Sequence, residues 1–337
     1  MSFAFVTGGL GFIGSHIARR LLAGQHVERV VLLDHYGSYV TPAREGWVDY
    51  RYLRVRDIED QIVVERAQTN YPNLLWDLLL HYKPRYIFHL AALPLASLEN
   101  LTTQEAAEGS VLSTAYLLEI ASMLKKRFGY QPERFVYTSS SMVYGDFERS
   151  PADEEHPTRP QTIYGTMKLA GEEVTRGLGR VYGVPWTIVR PSAVYGPTDM
   201  NRRVTQIFVE DALAGHELTV CGADEKLDFT YVEDVAKGFV LAATRPEGAG
   251  QTFNITSGHA HTLLELCEVL REQFPALRWK VVPRDESRPR RGTLDIAKAR
   301  RLLGYGPDWT LRDGMAAYVE FMRRHQGLLP PAAAPPA

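Results

Sequence analysis

The 337-residue chain holds only two cysteines, Cys221 and Cys267. Two thiols in so long a chain are no disulfide framework. No His/Cys group has zinc-ligand spacing either, so no metal is expected. A reducing cytoplasm is the expected location. No apolar run approaches 18 residues, which excludes a membrane-spanning helix. The opening stretch MSFAFVTGG lacks a charged n-region and a long apolar run, so no secretory signal is expected. An excess of one charge is missing too. The 38 Lys+Arg and 40 Asp+Glu leave a formal net charge of −2, which argues against nucleic acid as a partner.

What is present reads as an ordinary globular enzyme-sized chain. It is 45% apolar and 23% charged, and its length suits roughly two domains, or one with an added lobe. Phe3–Val6, Val30–Leu33, Tyr86–Phe88 and Phe135–Tyr137 are continuous apolar runs, as expected of strands buried on both faces. Tyr52–Val55 reads as a weaker strand. Ile13, Ile17 and Leu21 mark a helix by their spacing, and 104–127 reads as another. Strand–helix alternation predicts an α/β fold with a Rossmann-like, doubly wound parallel sheet. After about residue 190, Gly and Pro become frequent and segments shorten, with helices read at 263–274 and 296–303. The expected division is 1–190 for the sheet domain, to which later segments return, and 191–328 for a smaller substrate-binding lobe. The Pro/Ala-rich stretch 329–337 is expected to be a disordered tail.

Between the first strand and first helix lies Thr7-Gly8-Gly9-Leu10-Gly11-Phe12-Ile13-Gly14. Gly8 (or Gly9), Gly11 and Gly14 permit a tight turn, close approach of a pyrophosphate, and close helix–strand packing. The pyrophosphate would face the helix N-terminus, where free N–H groups favour an anion. Asp34 follows Gly14 by twenty residues at the end of the second strand. Its carboxylate suits both adenosine ribose hydroxyls and would repel a 2′-phosphate, so the expected cofactor is NAD rather than NADP. Asp57-Ile58, after the weak strand, is placed either at the adenine or at a plain helix start.

Tyr164 and Lys168 stand at i and i+4, on one helix face. Thr138–Ser141 closes a strand, at the carboxyl edge where doubly wound sheets bind ligands. Lys168 and a nicotinamide cation would favour the Tyr164 phenolate, while a serine hydroxyl would hold the reacting oxygen. The set suits hydride transfer between a sugar carbinol and NAD.

With these residues the sequence resembles the extended short-chain dehydrogenases/reductases of the NAD-dependent nucleotide-sugar epimerase/dehydratase family. The matching pieces run in order from residue 3 to about 310. They are Thr7–Gly14, Asp34, Asp57-Ile58, His89–Ala92, Ser139–Gly145, Tyr164–Lys168, Arg190–Pro197, Asp228–Asp234 and Arg288–Gly292. The resemblance implies that Tyr164 is the base and acid, that Lys168 holds the nicotinamide ribose, and that Ser140 is the catalytic Ser/Thr. It assigns Phe12, Ile13, Leu90, Ala91 and Ala92 to the cofactor. Family dehydratases carry Asp-Glu just after the Ser/Thr, and family decarboxylases carry Glu at the second of those positions. Here they are Ser141 and Met142, which leaves epimerisation, at C4 by expectation. The alternatives are a dehydratase, a decarboxylase, a net dehydrogenase, or a non-catalytic NAD sensor. A nucleotide-diphosphate sugar is the implied partner, with Ser141, Ser192, Arg202, Arg203, Lys226, Arg290 and Arg291 as candidate binding residues. Several depart from the family pattern: Ser192 and Ser110 stand where Asn is usual, and Lys226 precedes the place of a phosphate-binding Arg. A homodimer is implied by the family's paired helices. The sugar, the nucleotide and the carbon inverted stay open at this point.

Overall fold

The computed structural model describes residues 1–36, 50–92, 102–201 and 203–325. Arg202 and the tail 329–337 lie outside the described residues. Strands β1 (Phe3–Thr7), β2 (Arg29–Asp34), β3 (Ile62–Arg66), β4 (Tyr86–His89), β5 (Arg134–Thr138) and β6 (Trp186–Pro191) build most of one parallel sheet. Two short strands, β7 (Val194–Tyr195) and β8 (Leu218–Cys221), follow, then β9 (Lys226–Leu227) and β10 (Thr230–Tyr231). The chain then returns to the large sheet with β11 (Gln251–Ile255), giving the order β11-β6-β5-β4-β1-β2-β3. This is the doubly wound sheet the sequence predicted.

Strand residues alternate between two cores because side chains point to opposite faces at every step. Ala4, Val6, Val30 and Leu32 pack with α1 (Phe12–Ala23) and, from later in the chain, α8 (Val232–Thr244) and α10 (Ala297–Leu303). Phe5, Val31 and Leu33 face α3 (Pro72–Tyr82), α5 (Ser113–Phe128) and the end of α6 (Ile163–Tyr182). Each fully buried Leu or Phe here contributes about 1.5–3 kcal/mol. A third core gathers α7 (Val204–Ala214), α9 (Leu263–Gln273) and α11 (Leu311–Arg324) around the pairs β7–β10 and β8–β13, the latter strand being Trp279–Val282. Strand β12 (His261–Thr262) pairs with β9.

One local expectation needs correction. Tyr52–Val55 is not a strand: Arg51–Val55 is a short helix, α2. A four-residue alternation does not separate the two states. The helix is favoured because Arg19 of α1 donates to the carbonyls of Leu53 and Arg54 at its open end. The strand beside β2 is instead Ile62–Arg66. The helix read over 104–127 is present as α4 (Thr103–Ala107), started by a Thr102/Glu105 capping box, which continues through a π turn at Glu108–Leu112 into α5.

Candidate active site

The carboxyl ends of β1, β2, β4 and β5 open onto one cleft. Gly8, Gly11, Phe12, Ile13, Gly14, Asp34, Leu90, Ala91, Ala92, Tyr164, Lys168 and Arg203 all line it. At its floor the turn after β1 is held by Gly8 N–H donating to Leu33 O, 2.8 Å, and Gly11 N–H to Gly8 O, 3.0 Å. Gly8 has φ +66°, which disfavours any side chain. A Cβ on Gly14 would stand 2.5 Å from the Gly8 carbonyl oxygen. Helix α1 therefore starts flush against the turn, with no side-chain cap and no acid in its first turn. That cradle fits a pyrophosphate.

Asp34 ends β2 at the cleft edge, accepting from Leu10 N–H at 3.2 Å and Tyr36 N–H at 2.9 Å. The opposite wall rests on a buried chain of polar contacts. His89 Nδ1 meets Thr7 Oγ1 at 2.7 Å, His89 Nε2 meets Ser113 Oγ at 2.9 Å, and Thr7 Oγ1 accepts from Ala91 N–H at 3.1 Å. Burial, reinforced by the Lys168 charge, holds the His89 imidazole down at about 3. It is a neutral structural residue that fixes the Leu90–Ala92 wall.

At the far end Lys168, buried, donates to Thr138 O at 2.8 Å. Its Nζ lies 5.8 Å from the Tyr164 ring centre. Burial lowers the ammonium to about 7. Burial also raises the Tyr164 phenol, and the opposing influences are the Arg203 guanidinium and a hydrogen bond with Ser140. The Lys168 ammonium and the Arg203 guanidinium both line the cleft with this phenol. Ser140 caps the turn Ser141–Val143 by accepting from Met142 N–H at 3.2 Å.

Beyond Tyr164, Ser141 donates to Ser192 across 3.0 Å, both buried. Arg291 has its Nε buried with no hydrogen-bond partner among the described residues, and burial with the charges of Arg288 and Arg203 lowers it to about 10. Arg291 is therefore placed to receive an anion. Arg290 is exposed; its backbone N–H donates to Asp146 Oδ1 at 2.6 Å. Lys226 is exposed on β9. Asp57 and Ile58 do not line the cleft: Asp57 is paired with Arg19 and Ile58 is packed in the core. Their place beside the strand end is taken by Ala67, Gln68 and Thr69, which follow the true β3. Sequence reasoning also missed Arg54, Met200 and Asn201 in the lining.

Behind the reacting groups, Glu172 of α6 forms two 2.7 Å bonds with Arg190, accepts from Ser139 Oγ at 2.5 Å, and pairs with Arg176 at 2.6 Å. Tyr164, Lys168 and Glu172 share one helix face. Glu172 thereby ties their helix to the residue before Ser140.

Residues 4–256 match the model of the NAD dependent epimerase/dehydratase family. The chain belongs to that family. A UDP-glucose 4-epimerase of Mycolicibacterium smegmatis is 32% identical over 94% of this chain and 97% of its own. A dTDP-glucose 4,6-dehydratase of an Actinoplanes species is 29% identical over 95% and 98%. Among solved structures, a UDP-glucuronic acid 4-epimerase of Bacillus cereus, in complex with UDP-glucuronic acid and NAD, superposes with TM-score 0.84 at 25% identity, covering 96% of this chain and 99% of its own. The family resemblance, the fold and the reading as an NAD-dependent enzyme are borne out.

Proposed function

We propose that this protein is an NAD-dependent nucleotide-sugar 4-epimerase acting on a UDP-sugar. One observation carries the reading. Ser140, Tyr164 and Lys168 meet at one end of the cleft, and Asp34 is its only carboxylate among the described lining residues. Asp34 ends β2 and Thr138 ends β5, three strand spacings apart, about 14 Å. Among the described lining residues no carboxylate thus stands beside Tyr164 for the additional proton transfers of dehydration. Ser141 is engaged by Ser192, and Met142 is buried in the turn.

The cradle of Gly8–Gly14, the Asp34 carboxylate and the Leu90–Ala92 wall fit NAD. NAD held there would supply a reversible hydride acceptor for the sugar C4. Tyr164 takes the proton from the C4 hydroxyl and later gives it back. Ser140 orients that oxygen, and Lys168 is pinned to the β5 end by Thr138. Arg203 lines the same cleft, and its guanidinium suits a sugar carboxylate or the diphosphate. Arg291 is the candidate for the diphosphate.

The test is incubation with NAD and a panel of UDP- and dTDP-sugars, followed by mass spectrometry and proton NMR. A new sugar of unchanged mass is expected. Loss of water or carbon dioxide would refute the epimerase reading. Tyr164→Phe should cut turnover by about 10²–10⁴-fold with NAD still bound.

Two coarser points belong to the same reading. We take the chain to be a homodimer through α5 and α6, supported by the exposed apolar Leu112, Ile163 and Val181 beside or on them; light scattering tests this. Free Cys221 and Cys267 support a reducing, cytoplasmic location.

A further inference from the structure

Three stretches of chain far apart in sequence meet at Asp146, just beyond the Ser140 turn. Its Oδ1 accepts from Arg290 N–H at 2.6 Å, and its Oδ2 accepts from Gln161 Nε2 at 2.8 Å. The neighbouring Phe147 N–H donates to Arg290 O at 2.9 Å. Both main-chain groups of Arg290 are thus taken up by adjacent residues of one loop. The lacing continues past Arg291. Thr293 N–H donates to Ser150 Oγ at 3.2 Å, Ala152 N–H to Thr293 O at 2.9 Å, and Asp295 N–H to Ala152 O at 2.8 Å. A Cβ on Gly292 would stand 2.8 Å from Ser150 Oγ, so the two stretches run in close contact. Arg291, whose buried Nε has no hydrogen-bond partner among the described residues, therefore sits between fastened neighbours. On the other side, Gln161 precedes Thr162, which caps α6 by accepting from Gly165 N–H at 3.1 Å. Arg159 N–H donates to Tyr144 O at 3.2 Å, and Gly145, at φ +71°, leaves room for the Arg159 carbonyl that a side chain would block.

We propose that Asp146 is a positioning residue that fastens the segment bearing Arg291 to the Ser140 turn and to the head of α6, and so sets where an anion held by Arg291 stands relative to Tyr164. A carboxylate suits the task, because it only accepts and its two oxygens serve two donors at once. Hydrogen bonds to a charged acceptor are also shorter, and about twice as strong as neutral ones. The α6 arm matters because Tyr164 stands in the first turn of that helix. Asp146 is not among the residues lining the cleft, and it acts through the chain on either side of it. The inference deepens the function proposed above and rests on its assignment of the diphosphate to Arg291.

The experiment is calorimetric titration of UDP, the diphosphate probe, into the NAD-loaded protein. Asp146→Ala is expected to weaken UDP by about tenfold, and Arg291→Met by at least as much. The Asp146→Ala/Arg291→Met double variant should lose no more than Arg291→Met alone, since both act through one guanidinium. Asp146→Asn should restore affinity to near the wild-type value, because its oxygen still accepts from Arg290 and the Gln161 amide can turn over to meet its NH₂ group. Hydrogen exchange gives a readout that needs no ligand. Peptides spanning Arg290–Thr293 should exchange faster in Asp146→Ala and at the wild-type rate in Asp146→Asn. NAD affinity, set at the glycine cradle, should not change. Asp146→Ser, too short to reach both partners, serves where Asp146→Ala does not fold, as judged by circular dichroism. Wild-type UDP affinity in the folded Asp146→Ala or Asp146→Ser variant, losses that add in the double variant, or NAD affinity that falls together with that for UDP would overturn the proposal. The two failures are separable. If Arg291→Met weakens UDP and Asp146→Ala does not, the proposal alone fails; if Arg291→Met binds UDP as the wild type does, the diphosphate assignment fails and takes the proposal with it.

Discussion

Glu172→Gln removes the charge at the centre of the best-paired buried network. Arg190 and Glu172 are 3% and 0% exposed, and two 2.7 Å bonds join them. Glutamine keeps one acceptor and leaves the Arg190 cation buried without its counter-charge. Losing one member of such a pair costs about 3–5 kcal/mol. For 337 residues the unfolding entropy near the midpoint is about 0.7 kcal/mol per degree, so about 4 kcal/mol lowers Tm by about 6 °C. Urea or thermal unfolding followed by circular dichroism measures this. A surface control, Asp153→Asn, breaks an exposed pair with Arg149 and should change stability by less than about 1 kcal/mol. The sign with pH follows from the direction of the shift. Burial pushes the Glu172 carboxyl up, but Arg190, Arg176 and Ser139 outweigh it and hold it below the usual range. Its stabilisation is therefore complete above the ordinary carboxylate value and is lost as pH falls through the depressed one. The gap between wild type and variant should be full at pH 7 and close only in acid. A Tm loss no larger than that of Asp153→Asn would refute the reasoning.

Three other outcomes are expected. Gly14→Ala drives a Cβ toward the Gly8 carbonyl oxygen and should weaken NAD binding by about tenfold or more, read by calorimetric titration; unchanged affinity would show that the cradle lies elsewhere. Asp34→Ala should narrow the preference for NAD over NADP in paired titrations, because the carboxylate that would repel a 2′-phosphate is gone; a constant ratio would sink that role. Lys168 is depressed by burial to about 7. In NAD-free protein its burial penalty is full below pH 7 and relieved as pH rises toward its unfolded value, so Lys168→Met should stabilise most at low pH, with the gap narrowing between about pH 7 and 10. A gap independent of pH would contradict the assignment.

The buried strands were legible because their apolar runs are continuous, and the glycine turn because only small residues satisfy so close an approach. The third strand was not. Ile62–Arg66 is an edge strand with alternating exposure and two charges, so its run is no louder than Tyr52–Val55. That slip placed Asp57 and Ile58 at the cleft, which Gln68 and Thr69 line. Ser140, Tyr164 and Lys168 were visible through spacing on one helix and one strand end. Arg54 was invisible, because its partners include the backbone carbonyls of residues 10 and 198, and a carbonyl leaves no mark in a sequence. Arg203 over Arg290 was likewise a matter of loop path rather than of residue type.

The return of Gln251–Ile255 to the outer side of β6 has a consequence for how the gene product can be divided. The matched family region, 4–256, closes on this strand. Everything between Pro191 and Gln251 is thus stitched into the large sheet at both margins. A fragment stopped after β6 would leave Trp186–Pro191 as a bare, mostly apolar border with its main-chain donors and acceptors unpaired, a template for self-association. Exchanging specificity with a relative therefore calls for two seams, one on each side of the insert, and a simple cut near residue 190 would yield aggregate in place of a working half.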